Sequence, residues 1–362
     1  MSTRLVMLTT NLAPGGAEAQ VAQLARGFAR RGFRTSVVSL LPPAAFADEL
    51  KAAGVGVYSL DMRPGSPNPI GAVRLLAALR RLRPQVLHAH MFHANLMARL
   101  ARIFCPVPAV ISTAHSLIES SRRSEDARAR ERLYRLTDRL GDITVVVSKA
   151  GADRYARIGA APSHRLRVIP NGVDTRLYHP PAAPRDSNDF VWLAAGRLMW
   201  KKDYPNLIDA FTRVGRGSLW IAGSGPQEAE LRQLATQSAA RIRFLGQRSD
   251  LPALLHEADA FVLSSVVEGL PMVLLEAAAS GLPCVTTGAG GASEVVLDGE
   301  TGFVVPPGDA AALAAAMTRI MEMPAGQRLR LGEAARRHAV ARFGIEAVLD
   351  QWELLYRELL GR

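Results

Sequence analysis

Residues 260–287 read A-F-V-L-S-S-V-V-E-G-L-P-M-V-L-L-E-A-A-A-S-G-L-P-C-V-T-T. The outer runs, A-F-V-L-S and P-C-V-T-T, are short and apolar, as buried strands are. Between them a helix is expected from Pro271 to about Ser280. Proline suits the first turn, where its missing N–H costs nothing. Gly281 suits the position just past the helix, and Pro283 stops it from continuing. Strand, helix and strand in succession build a parallel sheet.

The same alternation runs outward in both directions. F-V-W-L-A-A, S-L-W-I-A, I-R-F-L and F-V-V-P complete a set of strands in the second half. V-M-L-T-T, T-S-V-V-S-L, G-V-Y-S-L, Q-V-L-H-A, A-V-I-S-T and I-T-V-V-V make another in the first. Helical stretches such as Ala17 to Arg31 and Pro69 to Leu82 lie between them. The expected fold is α/β: two doubly wound, Rossmann-like domains facing each other across a cleft, with ligands outside the carboxyl ends of the strands. H-P-P-A-A-P-R-D-S-N-D, residues 179–189, reads as a linker. The domains are expected at 1–180 and 181–345, followed by an amphipathic helix, Glu346 to Leu360.

The central stretch also holds the first candidate site. Free N–H groups at the helix start, those of Met272 and Val273, form an anion site suited to a phosphate, with Leu270 just ahead of them. Glu268 precedes the helix and Glu276 lies within it. A carboxylate beside a phosphate is costly unless it accepts hydrogen bonds from something neutral and rich in hydroxyls, as a sugar is. One acid would hold a hexose and the other a ribose. The alternative is a salt-bridged surface acid and an ordinary loop acid. After the first strand of the same half comes G-R-L-M-W-K-K-D-Y, residues 196–204, where Arg197 and Lys202 are placed to converge on a diphosphate. After the first strand of the chain comes A-P-G-G-A-E, where Gly15 and Gly16 let backbone approach a ligand closely.

These motifs resemble glycosyltransferase family 4, whose members are retaining, nucleotide-sugar-dependent enzymes of the GT-B fold. The resemblance runs through P-G-G-A-E (14–18), T-A-H-S (113–116), V-V-S-K (146–149), I-P-N-G-V-D (169–174), the 196–204 stretch, residues 264–285 and G-G-A-S-E-V-V-L-D-G-E-T-G-F-V-V (290–305). It implies a nucleoside-diphosphate sugar as donor, UDP- or GDP-linked, and a glycan or lipid-linked acceptor. It places Glu268 on the donor sugar, Glu276 on the ribose, Arg197 and Lys202 on the diphosphate, Gly16 near the phosphates and His115 beside the reacting sugar. It has the closing helix packing back on the first domain, and a donor phosphate oxygen taking the acceptor's proton. Lys201, beside Trp200, blurs which lysine is the ligand; the spacing favours Lys202. Two rivals remain: a nucleotide-sugar epimerase on this architecture, and a non-catalytic nucleotide-sugar-binding protein.

Other signals point elsewhere or nowhere. His88, His90 and His93 suggest a metal site, but no acid or cysteine lies nearby in sequence, and cleft-lining or core histidines are the expectation. There is no Asp-x-Asp, so no metal and no other cofactor is expected. G-S-G-P (223–226) lacks the rest of a dinucleotide fingerprint. The two cysteines, Cys105 and Cys284, suit a reducing compartment. With no signal-peptide-like or membrane-spanning run, a cytoplasmic protein is expected. The net charge of +11 is uneven: residues 1–180 carry 26 Lys and Arg against 12 Asp and Glu, residues 181–362 carry 18 against 21. Arg128, Arg132, Arg135 and Arg139 recur at helical spacing beside Leu133, Leu136 and Leu140, with Arg74, Arg80, Arg81 and Arg83 nearby. Peripheral contact with the anionic inner face of a membrane is expected; a solvated basic face is the alternative. Nucleic acid is not expected, because no aromatics interleave with the arginines.

Overall fold

A computed structural model describes residues 2–42, 44–63, 69–116, 124–183, 189–238 and 240–361. The chain forms two compact units: Met1–Gly172 with Ile345–Arg362, and Val173–Gly344. Arg122, the first arginine of the basic segment that runs on to Arg139, and residues 184–188 of the proline-rich segment lie outside the described residues. Residues 173–180, which composition placed before the boundary, are tied to the second unit. There Val173 N–H donates to Phe343 O at 2.8 Å and His256 Nε2 bonds His179 O at 2.7 Å.

The first unit holds seven parallel strands: β1 (Arg4–Thr9), β2 (Arg34–Ser39), β3 (Gly56–Ser59), β4 (Val86–His90), β5 (Ala109–Ala114), β6 (Ile143–Val146) and β7 (Leu166–Val168). Their order is β3-β2-β1-β4-β5-β6-β7. β7 is missing from the sequence reading, since three residues are too few to show a period. Alternation along β1 decides which side chain faces which layer. Leu5 and Met7 point to the layer of Gly16–Arg30 and the closing helix, Ile345–Leu359. Val6 and Leu8 point to the opposite layer, Pro69–Leu82 and Phe92–Ala101. On the outer rim, Arg31 pairs with Glu346, Asp350 and Glu353 of the closing helix.

The second unit repeats the order with six strands: β8 (Val191–Ala195), β9 (Ser218–Ala222), β10 (Ile242–Gly246), β11 (Ala260–Leu263), β12 (Cys284–Thr287) and β13 (Gly302–Val305), arranged β10-β9-β8-β11-β12-β13. Helices Tyr204–Val214 and Ala310–Glu322 cover one face through Leu207, Phe211, Leu313 and Met317. Met272–Ala279 lies on the other with Ala325–Phe343, whose Arg336 donates to Ala279 O at the helix's carboxyl end. That is where a cation is favoured by the helix dipole.

Gly27 shows how tightly the closing helix is seated. A Cβ there would lie 2.8 Å from Leu349 Cδ2, and Leu349 is fully buried. Alanine in mid-helix normally gains about 0.5–1 kcal/mol over glycine, but overpacking a closed core costs about 1–3 kcal/mol, so the second effect wins. Gly27→Ala should therefore lower stability in urea unfolding. In a Leu349→Ala background the same change should be neutral or stabilising. Equal effects in both backgrounds would show that the two residues do not meet as described.

Candidate active site

In the second unit β8 and β11 are neighbours in the sheet but not in sequence. The chain leaves them toward opposite faces, and the opening this creates at the strands' carboxyl ends is where such sheets bind ligands. The loop after β8 makes a sharp turn at Gly196, φ +150°, whose N–H donates to Ala222 O at 2.9 Å. A Cβ on Gly223, φ +143°, would strike Gly196 O, so the ends of β8 and β9 touch through bare backbone. That gives G-S-G-P a packing role. One turn later Lys202 Nζ donates to Glu268 Oε1 at 2.6 Å, and Ser265 Oγ donates to the same oxygen at 2.6 Å. Val266 N–H to Lys201 O (2.8 Å) and Ser264 Oγ to Lys202 O (2.8 Å) stitch the two loops together.

The lysines are thus separated by geometry: Lys202 reaches Glu268, while Lys201 Nζ sits 5.8 Å from the centroid of the Trp200 ring. Glu268 and Lys202 are mostly shielded, with side chains 13% and 17% exposed. Arg197 is exposed and has no ion-pair partner among the described residues. A three-donor ammonium holding one carboxylate oxygen still has donors to spend.

The helix Met272–Ala279 begins after Pro271. Leu274 and Leu275 N–H both return to Pro271 O, which leaves Met272 and Val273 N–H without a partner inside the helix. The Leu270 side chain, just ahead of them in sequence, is buried. Glu276, one turn in, is also buried, and desolvation pushes its carboxyl up to about 7. Its hydrogen-bonding neighbour is the Tyr178 hydroxyl, itself driven far above its ordinary range by burial and by Glu276.

In the first unit Gly15 and Gly16 are exposed at the start of the helix that follows β1. Gly15 is extended, φ −177°, a conformation open to any residue. What its missing Cβ leaves is room for Glu18, whose carboxylate a side chain at 15 would strike. His115 follows β5, with Nε2 3.1 Å from His90 Nδ1. Burial holds His115 down to about 4, only partly offset by a hydrogen bond with the Asn171 side chain, so the ring is neutral. Asn171 is placed by Gly172, whose N–H donates to the buried Gln20 Oε1 at 2.9 Å. Among the described residues no group of three or more His, Cys, Asp or Glu is arranged to hold a metal ion.

Residues 14–177 match the family model described as Glycosyltransferase Family 4, and residues 179–338 the one described as Glycosyl transferases group 1. A glycogen synthase of Mycobacterium tuberculosis (strain CDC 1551 / Oshkosh) is 32% identical over 296 residues, 78% of this chain and 71% of that protein. The chain belongs to glycosyltransferase family 4. Another relative, the lipopolysaccharide core biosynthesis glycosyltransferase LpsE of Rhizobium meliloti, is 33% identical over 56% of this chain and 60% of its own length. Among solved structures, Anabaena Alr3699/HepE in complex with UDP-glucose has a TM-score of 0.84 at 24% identity, covering 97% of this chain and 99% of that one. Sucrose-phosphate synthase from Thermosynechococcus elongatus has 0.86 at 23%, covering 99% of both. These likenesses give the fold, GT-B.

Within this family 4 chain the second unit gathers Arg197, Lys202, Glu268, Leu270, Met272, Val273 and Glu276 around the ends of β8 and β11. Gly15, Gly16 and His115 belong to the first unit. Sequence reading passed over Tyr178, Ser265 and Asn171. Asn171 lies in the quoted I-P-N-G-V-D, but Tyr178 is nearly a hundred residues from Glu276 and no spacing rule connects them. His88 and His90 are wholly buried, as a core reading expects, whereas His93 stands apart beside Arg130.

Glu276 yields a signed test. Its ordinary carboxyl value is 4.5 and its folded value about 7. Between these, the folded chain keeps a proton that the unfolded chain has lost. Stability conferred by the neutral acid therefore falls as pH rises through this window and is flat above it. Glu276→Gln, always neutral, should match wild type near pH 5. Near pH 8 it should be more stable by up to about 3 kcal/mol. Parallel pH profiles for the two proteins in chemical denaturation would show that Glu276 is not buried as described.

Proposed function

We propose that the protein transfers a sugar from a nucleoside-diphosphate sugar, UDP- or GDP-linked, to a glycan or lipid-linked acceptor in polysaccharide or glycolipid assembly, with retention at the anomeric carbon. The observation that carries this reading is the Lys202–Glu268 pair beside the free amides of Met272 and Val273, with Glu276 buried on the same helix. As the diphosphate leaves, its charge is met by Lys202, by Arg197 and by the helix amides. Glu268 Oε1 is already held by a cation and a hydroxyl, which suits it to accept hydrogen bonds from sugar hydroxyls rather than to attack carbon. Glu276 does the same for the ribose. His115, neutral, orients the donor sugar. A phosphate oxygen of the donor takes the acceptor's proton, so no protein base is required.

The test is incubation with UDP- and GDP-linked sugars plus membrane extract, read by mass spectrometry and by the anomeric configuration of the product. A new glycoside of retained configuration is expected. An isomerised donor would instead favour an epimerase, and no turnover a binding protein. Lys202→Met and Arg197→Ala each remove charge-assisted hydrogen bonds worth roughly 1.5–3 kcal/mol. Affinity for the matching nucleoside diphosphate should fall roughly 10- to 150-fold in calorimetry. Wild-type affinity in both variants would overturn this placement of the diphosphate.

We further assign the protein to the cytoplasmic face of a membrane, held peripherally by its first unit. On the helix Ser124–Thr137, Tyr134 and Thr137 are buried, while Leu133 and Leu136 are exposed beside Arg132 and Arg135, with Arg139 exposed just beyond the helix. Phe104 and Ile103, 65% and 58% exposed, add apolar surface beyond Phe92–Ala101. No helix among the described residues is long and apolar enough to cross a membrane. Each cation near an anionic surface contributes about 1 kcal/mol, screened by salt. Sedimentation with phosphatidylglycerol vesicles should therefore be strong at low salt and reversed by salt. Equal partitioning onto phosphatidylcholine vesicles would refute it.

A further inference from the structure

Glu268 is held by two donors on one oxygen, and the second of them, Ser265, carries no assigned role. Ser265 is fully buried, two residues past the end of β11. Its hydroxyl donates to Glu268 Oε1 at 2.6 Å, and Lys202 Nζ donates to the same atom at 2.6 Å. A carboxylate oxygen has two lone pairs to offer, so Oε1 is filled. Oε2 accepts no hydrogen bond among the described residues. The two donors thus decide which oxygen is left for a ligand.

The two holds are not equivalent. An ammonium sits on a flexible four-carbon stem, and a carboxylate turns easily about its last bond. A lysine alone therefore follows its carboxylate through a range of orientations. Lys202 is also shared: in the reading above it meets the diphosphate, and an arriving phosphate draws the ammonium toward itself. Ser265 has neither freedom. Its hydroxyl swings on a single side-chain torsion, and the backbone around it is tied down. Thr287 Oγ1, on β12, donates to Ser265 O. On either side, Ser264 Oγ donates to Lys202 O and Val266 N–H to Lys201 O, each at 2.8 Å. The serine is the one hold on Glu268 that no ligand competes for.

We propose that Ser265 is a positioning residue for sugar transfer: its hydroxyl keeps Glu268 Oε1 engaged when Lys202 turns to the diphosphate, so that Oε2 is the oxygen presented to a hydroxyl of the donor sugar. The effect on turnover rests on the placement of Glu268 on that sugar, proposed above; the serine–carboxylate bond does not.

One test needs no variant. In crystals of the wild type with UDP or GDP, whichever it binds, Ser265 Oγ should stay within hydrogen-bond distance of Glu268 Oε1 while Lys202 reaches the phosphates. A carboxylate turned away from Ser265 in that complex overturns the proposal. So does a Lys202 that stays off the phosphates, since Glu268 then needs no second hold. The other test is Ser265→Ala, which removes the hydroxyl and leaves the backbone ties. In turnover of the UDP- or GDP-linked sugar that wild type uses, kcat should fall on the order of tenfold or more, because small displacements of a positioned group are costly. Affinity for the matching nucleoside diphosphate should be unchanged in calorimetry, since Arg197, Lys202 and the helix amides remain. A general loosening of the loops would lower that affinity too. An equal fall in kcat and affinity therefore overturns the role given to Ser265, as does wild-type kcat in the folded variant. Glu268→Ala runs in parallel. Normal turnover there would sink the placement of Glu268 on the sugar and, with it, this role for Ser265. Lost turnover there with normal kcat in Ser265→Ala would sink the Ser265 proposal alone.

Discussion

Two adjacent parallel strands whose connections depart to opposite faces cannot be covered at their carboxyl ends, and this gap is the constraint on which the chemistry of each unit depends. In the second unit it falls between β8 and β11. The turn at Gly196, the lysine at 202 and the acid at 268 are there because those loops are the first chain beyond the gap. In the first unit the equivalent gap lies between β1 and β4, with the glycines after β1 and His90 at the end of β4. The closing helix, laid over the first unit's sheet, reaches this second place from behind through the Tyr356–His88 bond.

The second unit keeps features that stability alone would not select. A buried acid with a carboxyl raised to about 7 costs folding energy at neutral pH, and a non-glycine residue at positive φ, Asp203 at +48°, adds local strain. Both lie in or beside the loops around the gap. The Lys202–Glu268 pair offsets part of the desolvation of its members but is weak evidence for net stability. These costs are reasonable where a hydroxyl-rich, doubly charged ligand replaces the lost water on binding.

Strands were legible because a sheet covered on both faces reads as continuous β-branched and apolar runs, such as V-V-S-L and A-V-I-S-T. Helix ends were legible where a residue has one physical use there, as with Pro271 and Gly281. β7 escaped because three residues show no period. The site was legible where its parts share a loop or a helix turn, as with Glu268 and Met272. It was opaque where a partner comes from far along the chain: Tyr178 on Glu276, Tyr356 on His88, Asn171 on His115. Such pairs are created by the fold, and nothing local marks them. Gly223 and Gly225 read locally only as an incomplete fingerprint, and their use against the backbone of Gly196 and Leu198 appears only once β8 and β9 lie side by side.

The two units solve the problem of charge in opposite ways. The second gathers cations, Arg197 and Lys202, near the open amides of a helix start. The first carries most of the chain's excess positive charge, yet its inner polar row, His88, His90 and His115, is neutral because burial removes the water that would stabilise imidazolium. A histidine is the usual explanation for an inflection in activity near neutral pH. Here the ring of His115 is held down to about 4, whereas Glu276 is raised to about 7. The charge change near neutrality therefore belongs to the acid assigned to the ribose. Its carboxyl is buried beside the Tyr178 hydroxyl, with no ion-pair partner among the described residues.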